Sequence, residues 1–307
     1  MAKYLALSKA RLSFLIVYTT VNGFLMAPVA LHLPTFLLTC VGTTLTVASA
    51  NSINQYIEVD HDILMRRTAN RPLPTGELSL THALLFGIST GIAGTTILAL
   101  GVNELAAGLA LGNILLYTLV YTPLKRVHWS NTWVGAIVGA IPPMIGWAGA
   151  TGDLSSGALV LAYTLLIWQI PHFLALSWSL KADYERAGYK MLVSSDPEKA
   201  RRLAYRYCYY FLPIPLLALL TDLTTMPFAV EAVLLNIWLI YQGHQFYKEK
   251  TGTTARRLFL STLWYLAILL ICFIIHKKAG YSIEHSQNNL SNKEEEDTQT
   301  PKTNKEA

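Results

Sequence analysis

Apolar stretches long enough to cross a lipid bilayer recur along this chain, and nothing in it constrains the fold more tightly. A helix rises ~1.5 Å per residue, so ~20 apolar residues match a hydrocarbon core of ~30 Å. Nine such runs are expected, at about 12–31, 35–55, 81–100, 104–122, 132–150, 157–180, 207–221, 227–243 and 258–276, with the seventh and eighth the shortest. Across 307 residues, 52% are hydrophobic and 14% are charged, which excludes an ordinary soluble domain. The expected fold class is therefore all-α: a polytopic membrane protein with nine transmembrane helices around a central cavity.

The net charge of +5 would point to nucleic acid in a soluble protein, but the basic residues sort by side. Three precede the first run, three lie between the second and third, two between the fourth and fifth, seven between the sixth and seventh, and four between the eighth and ninth. The intervening loops carry none, and five more follow the last run. The positive-inside rule then places the N-terminus and the long loops in the cytoplasm, or in the matrix of an organelle. The expected partner is the bilayer, with no nucleic acid. Cys40, Cys208 and Cys272 have no disulfide or zinc spacing. The run from Leu12 is full length and reads as a first span rather than a cleavable signal. With no transit-like extension ahead of it, the expected location is a bacterial inner membrane, and the alternative is the mitochondrial inner membrane with the site facing the matrix. One nine-helix domain is expected over residues 1–279. The polar stretch 280–307 cannot bury a core and is expected to be a disordered tail.

Just after the second apolar run the sequence reads NQYIEVDHDILMRRTANR, residues 54–71. Asn54, Glu58 and Asp62 are four apart, a spacing that advances each side chain only ~40° around a helix and sets all three on one stripe. Acids at the end of a span cost roughly 2.5–3.5 kcal/mol each if they face lipid, so they should face the bundle interior or a wet cavity. Carboxylate and amide oxygens suit a hard cation, and Mg²⁺ commonly takes one or two carboxylates while leaving other positions to water and phosphates. Arg66, Arg67 and Arg71 follow directly, and guanidinium forks pair bidentately with phosphate oxygens. The plain alternative is a cluster of solvated loop charges.

A second polar cluster, WQIPHFLALSWSLKADYERAGYKML at 168–192, carries His172 and ends in Lys181, Asp183, Glu185 and Arg186 on the same side. Two such segments facing each other across a bundle would clamp a diphosphate between metal ions. The chemistry this serves is diphosphate departure, with cations neutralising the leaving group. An apolar, aromatic-lined cavity would hold a prenyl tail and shield the allylic cation from water.

The segments ANSINQYIEVDHDILMRRTANRPLP at 50–74, YTPLKRVHWSNTWVGAIVGAIPPMIGWAGATG at 121–152 and the one at 168–192 resemble the UbiA superfamily of intramembrane prenyltransferases. The PPMIGW and WQIPHF stretches resemble its haem-modifying branch. The superfamily's first motif, an Asn and two acids at four-residue intervals, falls on Asn54, Glu58 and Asp62, with Glu58 where many members have aspartate. At the second motif many members carry several aspartates, where this chain offers Asp183, with Glu185 near it and Lys181 before it. The resemblance implies Mg²⁺ bound with diphosphate by Asn54, Glu58, Asp62 and Asp183. It also implies phosphate contacts from Arg67, Arg71, Lys125 and Arg126, with Tyr121 nearby. The implied reaction joins the farnesyl group of farnesyl diphosphate to a vinyl group of haem B, adds water and releases diphosphate, giving haem O for terminal oxidases. The next haem-modifying enzyme or an oxidase assembly is the implied protein partner.

His172 has two readings, a haem contact or a hydrogen-bonded intramembrane histidine. His128 reads as an interfacial or propionate-side residue, and His61, His82 and His244 as ordinary loop or helix-end residues. Pro142 and Pro143 should kink the fifth span, while Gly135 and Gly139 should permit close helix packing. Trp133, Trp147, Trp168 and Trp178 read as interface anchors or packing. The basic segment 181–206 is either a cap over the site or a loop that orients the protein in the membrane. Two other functions compete: a prenyltransferase acting on an aromatic quinone precursor, and a transporter or channel using the acids as an ion path. A transporter would more naturally place its acids near the midplane.

Overall fold

The computed structural model describes residues 2–278, so the expected tail at 280–307 lies outside the described residues. Among these, the chain is helical apart from turns and one isolated bridge between Thr224 and Lys277. In order the helices are α1 (Ala2–Leu7), α2 (Ala10–Met26), α3 (Leu33–Asp62), α4 (Leu80–Gly101) and α5 (Glu104–Leu115), which runs through a π-helical stretch (Leu116–Tyr121) into α6 (Thr122–Val127). They continue as α7 (Asn131–Thr151), α8 (Ser156–Ser179), α9 (Lys181–Arg186), α10 (Leu192–Ser195), α11 (Pro197–Tyr209), α12 (Pro213–Leu220), α13 (Met226–Glu249) and α14 (Gly252–Ile275).

Among the described residues, eight helical stretches are long and apolar enough to span a membrane, counting Glu104–Val127 and Pro197–Leu220 as continuous. The expected count of nine is not met by these criteria, because the first run yields only the 17-residue α2. That run was expected to extend to residue 31, but Ala27 precedes Pro28 and adopts an extended conformation, φ −60° and ψ 142°. The clash between a proline ring and the preceding residue disfavours helix at that position. The seventh run is broken as well, since Pro213 starts a new helix after the turn at residues 210–212. The eighth is longer than expected, reaching Glu249.

Many large apolar side chains face outward, among them Phe14, Ile92, Leu100 and Leu220, as a lipid-facing surface requires. Inside, α2 packs chiefly on α7, α3 on α4, α7 on α8, and α8 on α14. The α2–α7 approach depends on glycine. A Cβ on Gly146 would collide with the carbonyl oxygen of Thr20, and one on Gly23 with that of Pro143. Both prolines, Pro142 and Pro143, are buried within α7. The end of α2 is tied from a distance, as Lys277 Nζ donates to the Leu25 and Ala27 carbonyls at 2.8 and 2.6 Å. Burial lowers the Lys277 pKa below its ordinary value.

The candidate active site

The last three turns of α3 bury the polar stripe completely: Asn54, Glu58 and Asp62 are at most 4% exposed. Each has a partner brought from elsewhere in the chain. Asn54 Nδ2 donates to Glu58 Oε2 at 2.8 Å and to Thr122 Oγ1 at 3.0 Å, while its Oδ1 accepts from Lys9 Nζ at 2.7 Å. Glu58 Oε1 pairs with Lys125 Nζ at 2.8 Å, and Asp62 Oδ2 with Arg71 Nη1 at 2.6 Å. Thr68 Oγ1 donates to the Asp62 carbonyl at 2.9 Å and folds the turn after α3 back onto the helix end, which brings Arg71 within reach. The stripe is therefore a line of hydrogen-bonding oxygens ringed by three cationic side chains.

Two of the four other basic residues expected here remain open. Arg66 and Arg67 are exposed and, among the described residues, pair with no carboxylate. Arg126, also exposed, donates to the Ile57 carbonyl. Lys181 pairs loosely with Glu185 at 3.8 Å on the surface. Lys125 sits 4.5 Å above the Tyr121 ring, and that ring lies 5.4 Å from Tyr117. The π-helical stretch Leu116–Tyr121 carries both tyrosines. Such insertions into helices recur at functional sites, and here the helix resumes at once with Thr122 and Lys125 on the stripe.

Asp183 is not joined to the stripe by any hydrogen bond or ion pair among the described residues; its carboxylate pairs with Arg186 at 3.2 Å. What does reach the stripe is the segment just after it. Tyr189 stacks edge-on against His61 at 5.2 Å and against Tyr184 at 6.0 Å. Burial raises the phenol pKa of both tyrosines, and the Glu58 carboxylate raises that of Tyr189 further. Lys190 N donates to the Lys125 carbonyl at 2.7 Å, and Asn131 Nδ2 to the Lys190 carbonyl at 3.0 Å. Residues 184–190 are thus stitched across the end of α6, so the basic segment has a covering role in addition to its charge.

Sequence reasoning missed Lys9, Thr122 and Tyr189. Lys9 adopts a left-handed backbone conformation, φ 49°, just before α2, an uncommon and costly state for a residue with a side chain. Burial, with Arg71 and Lys125 nearby, pushes its ammonium down to about 7. The available signal was a lysine lying flush with the first span on the same side as the stripe.

Beneath the mouth lies a cavity of about 390 Å³, within the usual range for ligand pockets, lined mainly by apolar and aromatic side chains with a minority of polar ones such as Asn51, Asn113 and Gln169. Tyr117 and Tyr121 line it, as do Trp168, Gln169 and His172 from α8. Gly135 and Gly139 open space for the Tyr121 ring and the Gln169 amide. Trp168, expected to be an anchor or packing residue, is a cavity wall, because its indole N–H donates to the Thr262 carbonyl at 2.7 Å and holds the ring inside the bundle. Trp147 is a buried packing residue. His128 is exposed beside Trp129, and His82 hydrogen-bonds Tyr4 at 2.9 Å.

The geometry is a buried polar mouth over an apolar cavity in a membrane bundle. The model of the UbiA prenyltransferase family matches residues 15–273. The chain belongs to the UbiA prenyltransferase family. Over 272 residues it is 47% identical to the human mitochondrial protoheme IX farnesyltransferase, covering 89% of this chain and 61% of that protein, so it spans about three fifths of that relative's length. In fold it resembles other UbiA-type proteins. A solved digeranylgeranylglyceryl phosphate synthase structure superposes with a TM-score of 0.77 at 18% identity, covering 90% of this chain and 97% of that one. A UbiA homolog from Archaeoglobus fulgidus, bound to GPP and Mg²⁺, superposes with a TM-score of 0.58 at 19% identity, covering 89% and 99%.

The Archaeoglobus fulgidus homolog holds Mg²⁺, and the side-chain oxygens of the stripe here are the hard donors that ion takes. Glu58 and Asp62 are two buried carboxylates one turn apart with an amide oxygen one turn further, all hard oxygen donors. Among the described residues no three acidic, imidazole or thiol groups converge. Mg²⁺ does not require that, since it binds through one or two carboxylates plus substrate phosphates.

Proposed function

We propose that the chain transfers the farnesyl group of farnesyl diphosphate to a vinyl group of haem B, with addition of water, giving haem O and diphosphate. The observation that carries this reading is the placement of buried carboxylates and cations directly over an apolar, aromatic-lined cavity. The likeness to a protoheme IX farnesyltransferase supports the choice of acceptor.

Each residue has a part. Glu58 and Asp62, with Asn54, hold Mg²⁺ at the mouth, and Asp183 is the further ligand from the covering segment. When bound, the ion neutralises charge on the departing diphosphate. Arg66, Arg67, Arg71, Lys125, Arg126 and Lys181 supply phosphate contacts, with Tyr121 at the boundary between diphosphate and prenyl chain. Arg71 and Lys125 already neutralise the two carboxylates, so binding the substrate exchanges partners within a preformed charge network and reorganises little. The C1–O bond of the farnesyl diphosphate breaks and its electron pair leaves with diphosphate. The vinyl π electrons then form the new C–C bond, and the resulting cation is captured by water, which gives up a proton. No nucleophilic side chain is required. The aromatic rings that line the cavity, Tyr117, Tyr121 and Trp168, stabilise cationic carbon, and residues 184–190 exclude bulk water from the mouth.

Residues 1–279 form the working unit. The grouping of basic residues on one side orients the mouth toward the cytoplasm or the matrix. The mitochondrial location of the human relative favours the mitochondrial inner membrane over the bacterial one. The test is release of diphosphate by the purified protein. It should require haem B, farnesyl diphosphate and Mg²⁺ together and be lost in Asp62→Asn. Release that proceeds equally well without haem B would refute the acceptor assignment.

A further inference from the structure

The cavity wall holds one imidazole, and its surroundings decide which nitrogen is available. Trp168 stacks on the His172 ring at 4.5 Å with planes 23° apart, and Phe259 lies against the ring at 4.8 Å. His172 Nδ1 is 2.8 Å from the hydroxyl of Thr262, which is fully buried at the α8–α14 interface. Among the described residues nothing hydrogen-bonds Nε2.

The Thr262 hydroxyl has a single proton and two acceptors within reach, the Phe259 carbonyl and His172 Nδ1. Its Oγ1 donates to the Phe259 carbonyl at 2.6 Å, an acceptor with no proton to give back. With the proton given to that carbonyl, the shorter of the two contacts, the hydroxyl accepts from His172 and Nδ1 carries the ring's N–H. A neutral imidazole has one N–H and one lone pair, and the lone pair is left on Nε2. With Trp168 and Phe259 packed on the ring and Nδ1 held by α14, the Nε2 edge is the part of the ring left for the cavity that His172 lines. A histidine whose second nitrogen donates to a fixed oxygen, leaving the first as a lone pair, is the arrangement that orients metal-binding imidazoles.

We propose that His172 Nε2 is an axial ligand to the iron of the haem acceptor, and that Thr262 is the positioning residue that fixes the tautomer making this possible. This rests on the haem reading given above and deepens it. Ligation at the iron anchors the macrocycle against one wall of the cavity and so limits which edge of the porphyrin can meet the prenyl cation.

Thr262 permits a clean separation of roles. Its carbonyl holds Trp168 and its hydroxyl holds His172, so Thr262→Val removes the second contact while keeping the first and nearly all the volume. The full-length protein in detergent micelles would be titrated with haem B and followed by its absorption and electron paramagnetic resonance spectra. Wild type should show an imidazole-ligated iron. His172→Ala should lose that signature and regain it on addition of free imidazole. Thr262→Val should weaken haem binding by about 10–100-fold, the usual cost of losing such a supporting hydrogen bond, and Thr262→Ser should restore it. Identical spectra for wild type and His172→Ala, in a protein that still farnesylates haem, would overturn the ligand assignment alone. A wild-type protein that binds no haem yet prenylates a quinone precursor would overturn the haem reading and this assignment with it.

Discussion

Replacing Lys125 with methionine should destabilise the protein strongly even in the absence of any substrate. The lysine side chain is 12% exposed, its partner Glu58 is 5% exposed, and they meet at 2.8 Å. Methionine nearly preserves the volume but leaves a buried carboxylate without its cation. Breaking a buried pair from one side costs about 3–5 kcal/mol, roughly a hundred- to a few-thousand-fold in the unfolding equilibrium. Asn54 still donates to Glu58 at 2.8 Å, which places the expected cost near the lower end. Equilibrium unfolding in mixed micelles would measure it. The double variant Glu58→Gln with Lys125→Met removes both charges and should recover most of the lost stability while remaining inactive, because both groups serve the diphosphate in the proposed reaction. If Lys125→Met unfolded at the same denaturant concentration as wild type, the mouth would be solvated in the free protein, and a preformed charge network there would be refuted.

Four further substitutions separate chemistry from packing. Asp62→Asn and Asp183→Asn should each abolish turnover while the protein stays folded in the membrane, since each removes a proposed cation ligand and almost no volume; a variant as active as wild type would show that its carboxylate is not needed. Gly146→Ala should destabilise by about 1–3 kcal/mol or more, because its new methyl meets the Thr20 carbonyl, a backbone atom that cannot swing away; an unchanged unfolding midpoint would contradict the tight α2–α7 approach. Gly139→Ala meets instead the movable Gln169 amide, which would give up its hydrogen bonds to the Ala136 and Leu165 carbonyls and turn into the cavity. A raised KM for farnesyl diphosphate with unchanged Mg²⁺ dependence is expected, and an unaltered KM would place the prenyl chain elsewhere.

The buried polar stripe was legible in the sequence because its geometry is local. Asn54, Glu58 and Asp62 sit on one helix, and a four-residue spacing needs no knowledge of the rest of the fold to be placed on one face. Arg71 was legible for the same reason, being a short turn away. Lys9, Thr122 and Tyr189 were not, because each reaches the stripe from a distant helix or loop, and one-dimensional spacing carries nothing about which helices become neighbours. The π-helical stretch at Leu116–Tyr121 was hidden because it changes backbone hydrogen-bond register in a run that reads as uniformly apolar. Trp168 packs as expected, but its place on the cavity wall was not legible, because an indole suits an interface anchor or a buried wall equally well; its bond to the Thr262 carbonyl decides it. Eight of the nine expected spans are long enough among the described residues; the first gives only the 17-residue α2, because Pro28 ends the helix although apolarity continues past Met26. Hydropathy reports what can lie in lipid, and helix termination is decided by backbone sterics.

The most direct measurement is mass spectrometry of haem recovered after the purified protein is incubated with farnesyl diphosphate, Mg²⁺ and haem B. A haem heavier by one farnesyl group and one water, absent when Mg²⁺ is chelated, is the predicted product. Unmodified haem, with 4-hydroxybenzoate prenylated in a parallel incubation, would contradict the acceptor assignment while leaving the diphosphate site intact.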